Sequence, residues 1–331
     1  MRLQGESQTN ERLDVSFEKL KGASSAPLAV GVQDGARLCF AAFPDHEIDR
    51  RFEIGSVTKV FTGSLLGVMV EAGDVDPEAP VDHLFGKALP WPVRPPTLVE
   101  LASHRSGLPN TPKPLFWRES LAALSLSVKD PWRGVDAAKY RAMLMAAVKQ
   151  ARVGEAPRYS SMGVSLLGDA LAHAAGMDFA DLLDQRLLRP LGIRRTDFLR
   201  PEEEPDLVAI SVNDWDRPVP YLRDQMAPAG MMASTVEDQL RFLRAAWGEG
   251  PDEIVKGVLR AQTPVAQMGA VAIGYCWLLA PHKDGEAAFH NGGTWGSQAE
   301  VVVVKDRRIA VAALSAKRRH TDEFVSEMLG A

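Results

Sequence analysis

A serine and a lysine three residues apart, Ser56 and Lys59, stand at the start of a long apolar stretch of the sequence. Residues three apart share one face of a helix, so this spacing would place the Lys59 amine beside the Ser56 hydroxyl. A serine hydroxyl attacks a carbonyl carbon once a neighbouring base removes its proton. The free N–H groups of a helix start stabilise the negative charge that then forms. The pair therefore predicts a nucleophile and its base.

The spacing alone is not specific, because Ser16 and Lys19 repeat it in the same chain. Lys19 lies in a charged stretch that we expect to be the solvated face of the first helix. Ser56 differs, because a long apolar helix follows it and would bury Lys59 unless a site used the amine. The surroundings of the two pairs, rather than their spacing, therefore distinguish the candidate catalytic pair from the surface pair.

Tyr159 and Ser161 lie in a predicted turn just before a helix and supply a second group of candidates. A tyrosine in such a turn is more often a packing residue. A phenol near a lysine is different, because the cation favours the phenolate, which can accept a proton.

The stretch FHNGGTWGSQAEVVVV is interpreted as a Gly-rich turn that leads into a strand. Two interpretations of its glycines stay open. They can form an ordinary β-turn, since glycine adopts positive φ without strain. They can also form a strand edge whose N–H groups face a substrate carbonyl, with glycine allowing close approach.

The composition excludes several classes of protein. The chain has 331 residues, 46% hydrophobic and 24% charged, with a formal charge of -5, values typical of a soluble globular protein. The basic residues are scattered, so we expect no nucleic-acid partner. No apolar run reaches the roughly 18 residues of a membrane span, so we expect no membrane partner. The dispersed histidines predict no metal site and no cofactor.

The first residues of the chain lack the apolar core of a secretory signal, so we expect a cytoplasmic protein. The expected partner is a small-molecule ester or amide substrate. The sequence leaves the oligomeric state open.

The elements that must position these residues follow an order of sheet, helices and sheet. Apolar runs on both sides of Asp34-Gly35 predict a hairpin near the start of the chain. We predict an α+β fold, an antiparallel β-sheet flanked by helices with an inserted, mostly helical lobe. Residues 1–72 and 201–331 would form the sheet domain and residues 73–200 the helical domain, with the active site in the cleft between them.

Local signals predict some of the element boundaries. Ser234 and Glu237 match a capping box at the start of a helix. Three runs rich in β-forming residues, AIGYCWLLA, AEVVVVKD and RRIAVAALSA, predict strands, and Asp306-Arg307 predicts the turn between the last two.

Three short motifs, at residues 56–59, 159–161 and 290–292, together resemble those of the penicillin-recognising serine hydrolases. They read Ser-Val-Thr-Lys, Tyr-Ser-Ser and His-Asn-Gly, in the order and at the separations of that family. The segments TLVELASHRSGLP and APAGMMASTVEDQLRFL are also similar to its class C β-lactamase-like branch, which includes esterases, β-lactamases and D-peptidases. The resemblance implies a helical lobe packed on an antiparallel sheet, with the site between them.

The resemblance also implies a role for each matching residue. Ser56 would be the acylated nucleophile, Lys59 its proton partner, and Tyr159 the residue that serves the leaving group and the deacylating water. Whether Lys59 or Tyr159 is the main base stays open. The oxyanion hole would be the backbone N–H groups of Ser56 and Gly293. The residues expected to contact substrate are Ser161, His290, Asn291, Gly292 and Trp295.

Two departures from the β-lactamase pattern bear on the substrate. His290 replaces a lysine and Ser161 replaces an asparagine, which removes a fixed cation and an amide and predicts weaker binding of a carboxylate such as that of a β-lactam. We therefore expect a carboxylesterase for small or medium acyl esters, acting through an acyl-enzyme on Ser56. Three alternatives stay open, namely a β-lactamase or D-amino-acid peptidase, an acyltransferase of secondary metabolism, and a catalytically silent module that binds peptides or lactams.

Overall fold

The computed structural model describes residues 8–22, 24–82, 89–198, 207–222 and 225–330. The strands are β1 (Leu28–Asp34), β2 (Arg37–Phe43), β3 (Phe52–Glu53), β4 (Asp197–Phe198), β5 (Met232–Ser234), β6 (Ala266–Met268), β7 (Val271–Ile273), β8 (Leu278–His282), β9 (Gly285–Gly293), β10 (Gln298–Val304) and β11 (Ile309–Ser315). The helices are α1 (Gln8–Lys21), α2 (Thr58–Glu71), α3 (Leu98–Ala102), α4 (Phe116–Ala123), α5 (Ala137–Val148), α6 (Ser161–Ala175), α7 (Phe179–Leu183), α8 (Ala227–Gly230), α9 (Val236–Ala246), α10 (Asp252–Ala261) and α11 (Thr321–Leu329).

The main sheet joins strands from the two ends of the chain in the order β2-β1-β11-β10-β9-β8-β7-β6. Each neighbouring pair is antiparallel, and Leu28 of β1 stands opposite Ser315 of β11. β11 is buried along its whole length because helices cover both faces of the sheet. The predicted antiparallel sheet flanked by helices is confirmed, as is the hairpin at Asp34-Gly35. A smaller sheet has the order β3-β5-β4.

Each face of the main sheet has its own hydrophobic core. On one face, side chains of α1 and α11 pack against β1, β10 and β11 through residues such as Phe17 and Phe324. On the other face, α9 packs on β1 and β11, and the larger core continues into α2, α10 and the helices between residues 98 and 188.

The packing of α2 against α10 is close enough to exclude side chains at the contact. A Cβ atom at Gly67 would lie 2.0 Å from the carbonyl oxygen of Gly257, and one at Gly257 would lie 2.4 Å from the backbone nitrogen of Val68. The two glycines therefore let the backbones touch, and α2 is held as a rigid support for the residues at its start. Each residue from Thr58 to Met69 is buried.

The middle of the chain is mostly helical, as predicted, and proline-containing loops separate the helices from α3 to α6. The predicted boundary between residues 200 and 201 lies outside the described residues. Among the described residues, no helix is long and apolar enough to cross a membrane.

Two local predictions are wrong. The helix cap is Thr235, whose hydroxyl accepts from the Asp238 N–H at 3.2 Å, because Ser234 is held extended in β5 opposite Phe52. The run AIGYCWLLA is not one strand but parts of β7 and β8. A turn in which Cys276 adopts a positive φ of 61° separates them.

Candidate active site

Ser56 lies in a 3₁₀ turn, Gly55–Val57, directly before α2. The sequence predicted that Ser56 begins the helix itself, but α2 begins two residues later, at Thr58. Gly55 has a positive φ of 49°, and a Cβ there would lie 2.5 Å from the carbonyl oxygen of Gly293. The turn is therefore pressed against β9, while the Ser56 side of it stays partly accessible.

Lys59 is fully buried and its amine points to Ser56. Its Nζ donates to Ser56 Oγ at 2.9 Å and to the carbonyl oxygen of Ala229 at 2.6 Å. Thr62, one turn further along α2, donates to the carbonyl oxygen of Pro228 at 2.6 Å and fixes the same segment, α8. The serine and lysine thus meet as their spacing predicted.

The second pair with the same spacing is arranged differently. Lys19 donates to Glu327 of α11 at 2.5 Å and lies 3.6 Å from Glu323, with 57% of its side chain exposed. Lys19 thus lies on a solvated helix face, as its charged surroundings predicted, whereas Ser16 is buried.

Tyr159 lies just before α6, and Ser160 caps that helix by accepting from the Gly163 N–H at 2.8 Å. The Tyr159 hydroxyl shares a hydrogen bond with Ser56. The Lys59 Nζ lies 4.9 Å from the centroid of the Tyr159 ring. Burial raises the pKa of Tyr159 well above its usual value, and the Ser56 hydrogen bond opposes this only in part. The phenol is therefore neutral, not the phenolate that the sequence argument favoured.

His290 points into the site from β9, with its ring centroid 6.2 Å from that of Tyr159. Its Nδ1 donates to the carbonyl oxygen of Asn291 at 2.5 Å, so Nε2 carries the lone pair. That Nε2 is buried without a protein partner among the described residues. Burial and the nearby Lys59 charge lower the pKa of His290 to about 3, so the imidazole is neutral at pH 7.

His104 also packs against Tyr159, with ring centroids 4.6 Å apart. It adopts a positive φ of 60°, its Nδ1 accepts from the Ser160 N–H at 3.3 Å, and its carbonyl accepts from the Arg158 N–H at 2.9 Å. Burial, and then Lys59 and His290, lower its pKa to about 3. His104 thus braces the turn that holds Tyr159.

The backbone of β9 touches the turn that carries Ser56. A Cβ at Gly292 would lie 2.1 Å from the carbonyl oxygen of Ile54 and 2.8 Å from the Ser56 nitrogen. The Gly293 nitrogen lies beside Gly55, within 2.6 Å of where a Cβ would be. The two N–H groups predicted to form the oxyanion hole therefore belong to segments in direct backbone contact.

Two other residues that were predicted to contact the substrate, Asn291 and Trp295, are poorly placed to do so. Asn291 is exposed on the face of β9 opposite to His290. Trp295 is 8% exposed and belongs to the larger core, so little of its ring is available to a substrate. The stretch from His290 to Gly293 is strand rather than turn, and the turn follows it at residues 294–297.

Asn110 is a site residue that the sequence did not indicate. Its Oδ1 accepts from the Ser161 N–H at 3.2 Å and from the Ser161 hydroxyl at 2.7 Å, which fixes the orientation of the amide. An amide therefore lies beside Ser161, although the sequence argument counted the amide at that position as lost. The two residues are 51 positions apart, so no local pattern pairs them.

Glu53 is a second residue that the sequence did not indicate. Its buried carboxylate accepts from the Leu222 N–H at 2.6 Å, the Ser211 hydroxyl at 2.7 Å and the Thr294 hydroxyl at 3.2 Å. Burial raises its pKa. Glu53 thus ties the loop at Leu222 to the turn after Gly293. Within the described ranges, no group of three or more His, Cys, Asp or Glu side chains is placed to hold a metal ion.

A sequence model of the beta-lactamase family matches residues 19–328. The chain belongs to the beta-lactamase family of serine hydrolases. The D-alanyl-D-alanine-carboxypeptidase/endopeptidase AmpH of Escherichia coli is 26% identical over 195 residues, 54% of this chain and 46% of AmpH. Penicillin-binding protein 4 of Amycolatopsis lactamdurans is 26% identical over 309 residues, 85% of this chain and 77% of that protein. The match thus spans less than half the length of AmpH.

Solved structures of the family confirm the fold class. The D-alanine carboxypeptidase AmpC of Burkholderia cenocepacia superimposes with a TM-score of 0.82 at 19% identity, covering 97% of this chain and 98% of that one. The class C beta lactamase of Rhodobacter sphaeroides gives a TM-score of 0.79 at 20% identity, covering 97% and 99%.

Proposed function

We propose that this member of the beta-lactamase family is a carboxylesterase that acts on small or medium acyl esters through an acyl-enzyme on Ser56. The neutral imidazole of His290 is the observation that favours esters. The β-lactamases that the chain resembles have a lysine at this position, where it offers a fixed positive charge to a substrate carboxylate. His290, with its pKa lowered to about 3, offers none at pH 7.

The geometry supports a two-step reaction. Ser56 Oγ attacks the ester carbonyl and its proton passes to the Lys59 amine, when that is neutral, at 2.9 Å. The N–H groups of Ser56 and Gly293 stabilise the oxyanion. Tyr159 donates its proton to the departing alkoxide. A water molecule then attacks the acyl-enzyme and gives its proton to the Tyr159 phenolate, while Lys59 returns its extra proton to Ser56 Oγ as the carboxylic acid leaves.

Turnover of p-nitrophenyl acetate and butyrate by the wild type and by Ser56→Ala tests this proposal. We expect Ser56→Ala to lower kcat/KM by about 1,000-fold or more, because no other group replaces the nucleophile. Ser16→Ala, the serine of the second pair, is the matched control and should keep kcat/KM within about twofold. Ester turnover that survives in Ser56→Ala would overturn the mechanism.

Hydrolysis of a D-alanyl peptide or a β-lactam is a second candidate function, favoured by the names of the relatives. AmpH of E. coli is called a D-alanyl-D-alanine-carboxypeptidase/endopeptidase, and the Burkholderia structure a D-alanine carboxypeptidase. A chromogenic cephalosporin and a D-Ala-D-Ala peptide, assayed beside the esters, separate the two. A kcat/KM on either that exceeds the best ester value would replace the esterase assignment.

A further inference from the structure

A pocket of about 750 Å³ opens beside Tyr159, on the side formed by the loop after α3 and by α4 and α5. This volume lies within the range of roughly 300–1,000 Å³ that is usual for small-molecule sites. We call it the apolar pocket, and its apolar wall includes Leu108, Pro114, Phe116, Trp117, Met143 and Ala146. Tyr159 is part of the wall and also hydrogen-bonds Ser56, so one side chain separates the pocket from the reacting hydroxyl.

The aromatic side chains of the pocket are exposed to an unusual degree. Trp117 is 75% exposed and Phe116 55%, and their rings meet edge to face with centroids 5.4 Å apart. An aromatic ring so exposed contributes little to the core, yet remains available to cover an apolar ligand. The wall of the pocket therefore has apolar surface that the fold itself does not use.

The charged groups of the pocket lie at its rim. Lys113 and Arg158 are exposed, and the Lys113 amine donates to the side-chain carbonyl of Gln150. The apolar wall can therefore bury a hydrocarbon group of a ligand, and the ligand needs no charge in order to bind.

We infer that the apolar pocket binds an alkyl chain or aromatic ring of the ester substrate, on either its acyl or its alcohol side. This inference rests on the proposed esterase function. Each methylene buried in the pocket should raise kcat/KM by about fourfold until the pocket is filled. The enzyme should therefore prefer hexanoyl or benzyl esters to the smallest esters.

Two variants test the pocket without touching Ser56, Lys59 or Tyr159. Trp117→Ala removes part of the wall, and Ala146→Phe fills space from an exposed position of α5. Trp215→Ala is the matched control, because Trp215 is 71% exposed and does not line the pocket. All three positions are on the surface, so each variant should fold.

The assay compares two series of esters with each enzyme. The acyl series is p-nitrophenyl acetate, butyrate and hexanoate, and the alcohol series is methyl, hexyl and benzyl acetate. In the series whose group enters the pocket, we expect Trp117→Ala and Ala146→Phe to lower the preference for the large group by about fivefold or more. The smallest ester and Trp215→Ala should stay within about twofold of wild type.

The results separate the inference from the proposed function. Ester turnover with an unchanged size preference in both pocket variants would overturn the inference and leave the esterase intact. If no ester is turned over, labelling of Ser56 by ethyl and hexyl p-nitrophenyl phosphonates still probes the pocket. In that reaction the Ser56 Oγ–P bond forms, p-nitrophenolate leaves, and the serine proton passes to Lys59. If the hexyl reagent labels wild type faster than the ethyl reagent does, and Ala146→Phe abolishes this difference, the inference is supported. Equal rates with the two reagents in wild type would refute it.

Discussion

Burial keeps Tyr159 neutral in this site, and in the proposed mechanism that protonation state decides how Lys59 and Tyr159 divide the proton transfers. Burial raises its pKa, so a phenolate is not available to accept the Ser56 proton at neutral pH. A neutral phenol is instead suited to donate to a departing alkoxide, which is a strong base. The Lys59 amine, 2.9 Å from Ser56 Oγ, is then the group placed to accept the serine proton.

This division of work predicts how Tyr159→Phe depends on the leaving group. For an alkyl ester such as hexyl acetate, we expect kcat/KM, which reports acylation, to fall by roughly 100-fold to 10,000-fold, because the alkoxide then leaves without its donor. For p-nitrophenyl acetate the loss should be much smaller, because p-nitrophenolate leaves without being protonated. Steady-state kinetics on both esters checks this, and equal losses would assign Tyr159 to a step common to both.

At the level of elements, the backbone contact between β9 and the turn of Ser56 fixes the distance between the two N–H groups proposed to form the oxyanion hole. Gly292→Ala would force a Cβ to within 2.1 Å of the Ile54 carbonyl oxygen. We expect the strand to shift and kcat to fall by about 100-fold or more, as after loss of an oxyanion donor. Gly269→Ala is the control, because a Cβ there meets nothing within 4 Å.

Kinetics combined with thermal unfolding decides the outcome. Gly292→Ala should lose kcat while keeping a cooperative transition, and Gly269→Ala should lose only about 1 kcal/mol of stability from its positive φ of 63°. A Gly292→Ala enzyme with wild-type kcat would show that the contact does not set the oxyanion geometry.

The sequence predicted those elements whose signals are local. The Asp34-Gly35 hairpin and the S-x-x-K spacing depend on neighbours within a few residues, and both are found in the structure. The cap at Thr235 was misplaced by one residue, because strand pairing of Ser234 overrides the local capping pattern. Where two local patterns conflict, as at this helix start, tertiary contacts therefore determine which structure forms.

The site residues that the sequence missed act over long separations. Glu53 binds partners 158 to 241 positions away, and Asn110 binds Ser161 across 51. The contact of His104 with Tyr159 likewise exists only after α6 is in place. No pattern of composition or periodicity encodes such pairs, so they follow only from the fold.

At the scale of the whole molecule, buried ionisable groups make stability depend on pH in opposite directions. His104 and His290 have pKa values lowered to about 3, so stability falls as pH drops below the usual histidine value of about 6.5 and the unfolded chain takes up protons. Burial raises the pKa of Glu300 to about 7. Its contribution is complete below the usual glutamate value of about 4.3 and is lost as pH rises through 7.

Glu300→Gln isolates the second effect. Glu300 lies on β10 and accepts from the Thr321 hydroxyl of α11 at 3.0 Å, so the amide can keep this hydrogen bond without titrating. Between pH 5 and pH 8, we expect the variant to gain roughly 2 kcal/mol in free energy of unfolding relative to wild type. Urea unfolding at both pH values measures this, and a constant difference would contradict the raised pKa.

The pairing of β1 with β11 also determines when, during translation, the main sheet can form. Leu28 finds its partner Ser315 only after the intervening residues have been made, which takes on the order of tens of seconds during translation. Gly293 likewise emerges long after Ser56. For most of its synthesis, the protein on the ribosome thus carries the proposed nucleophile Ser56 without the strand that would complete its proposed oxyanion hole.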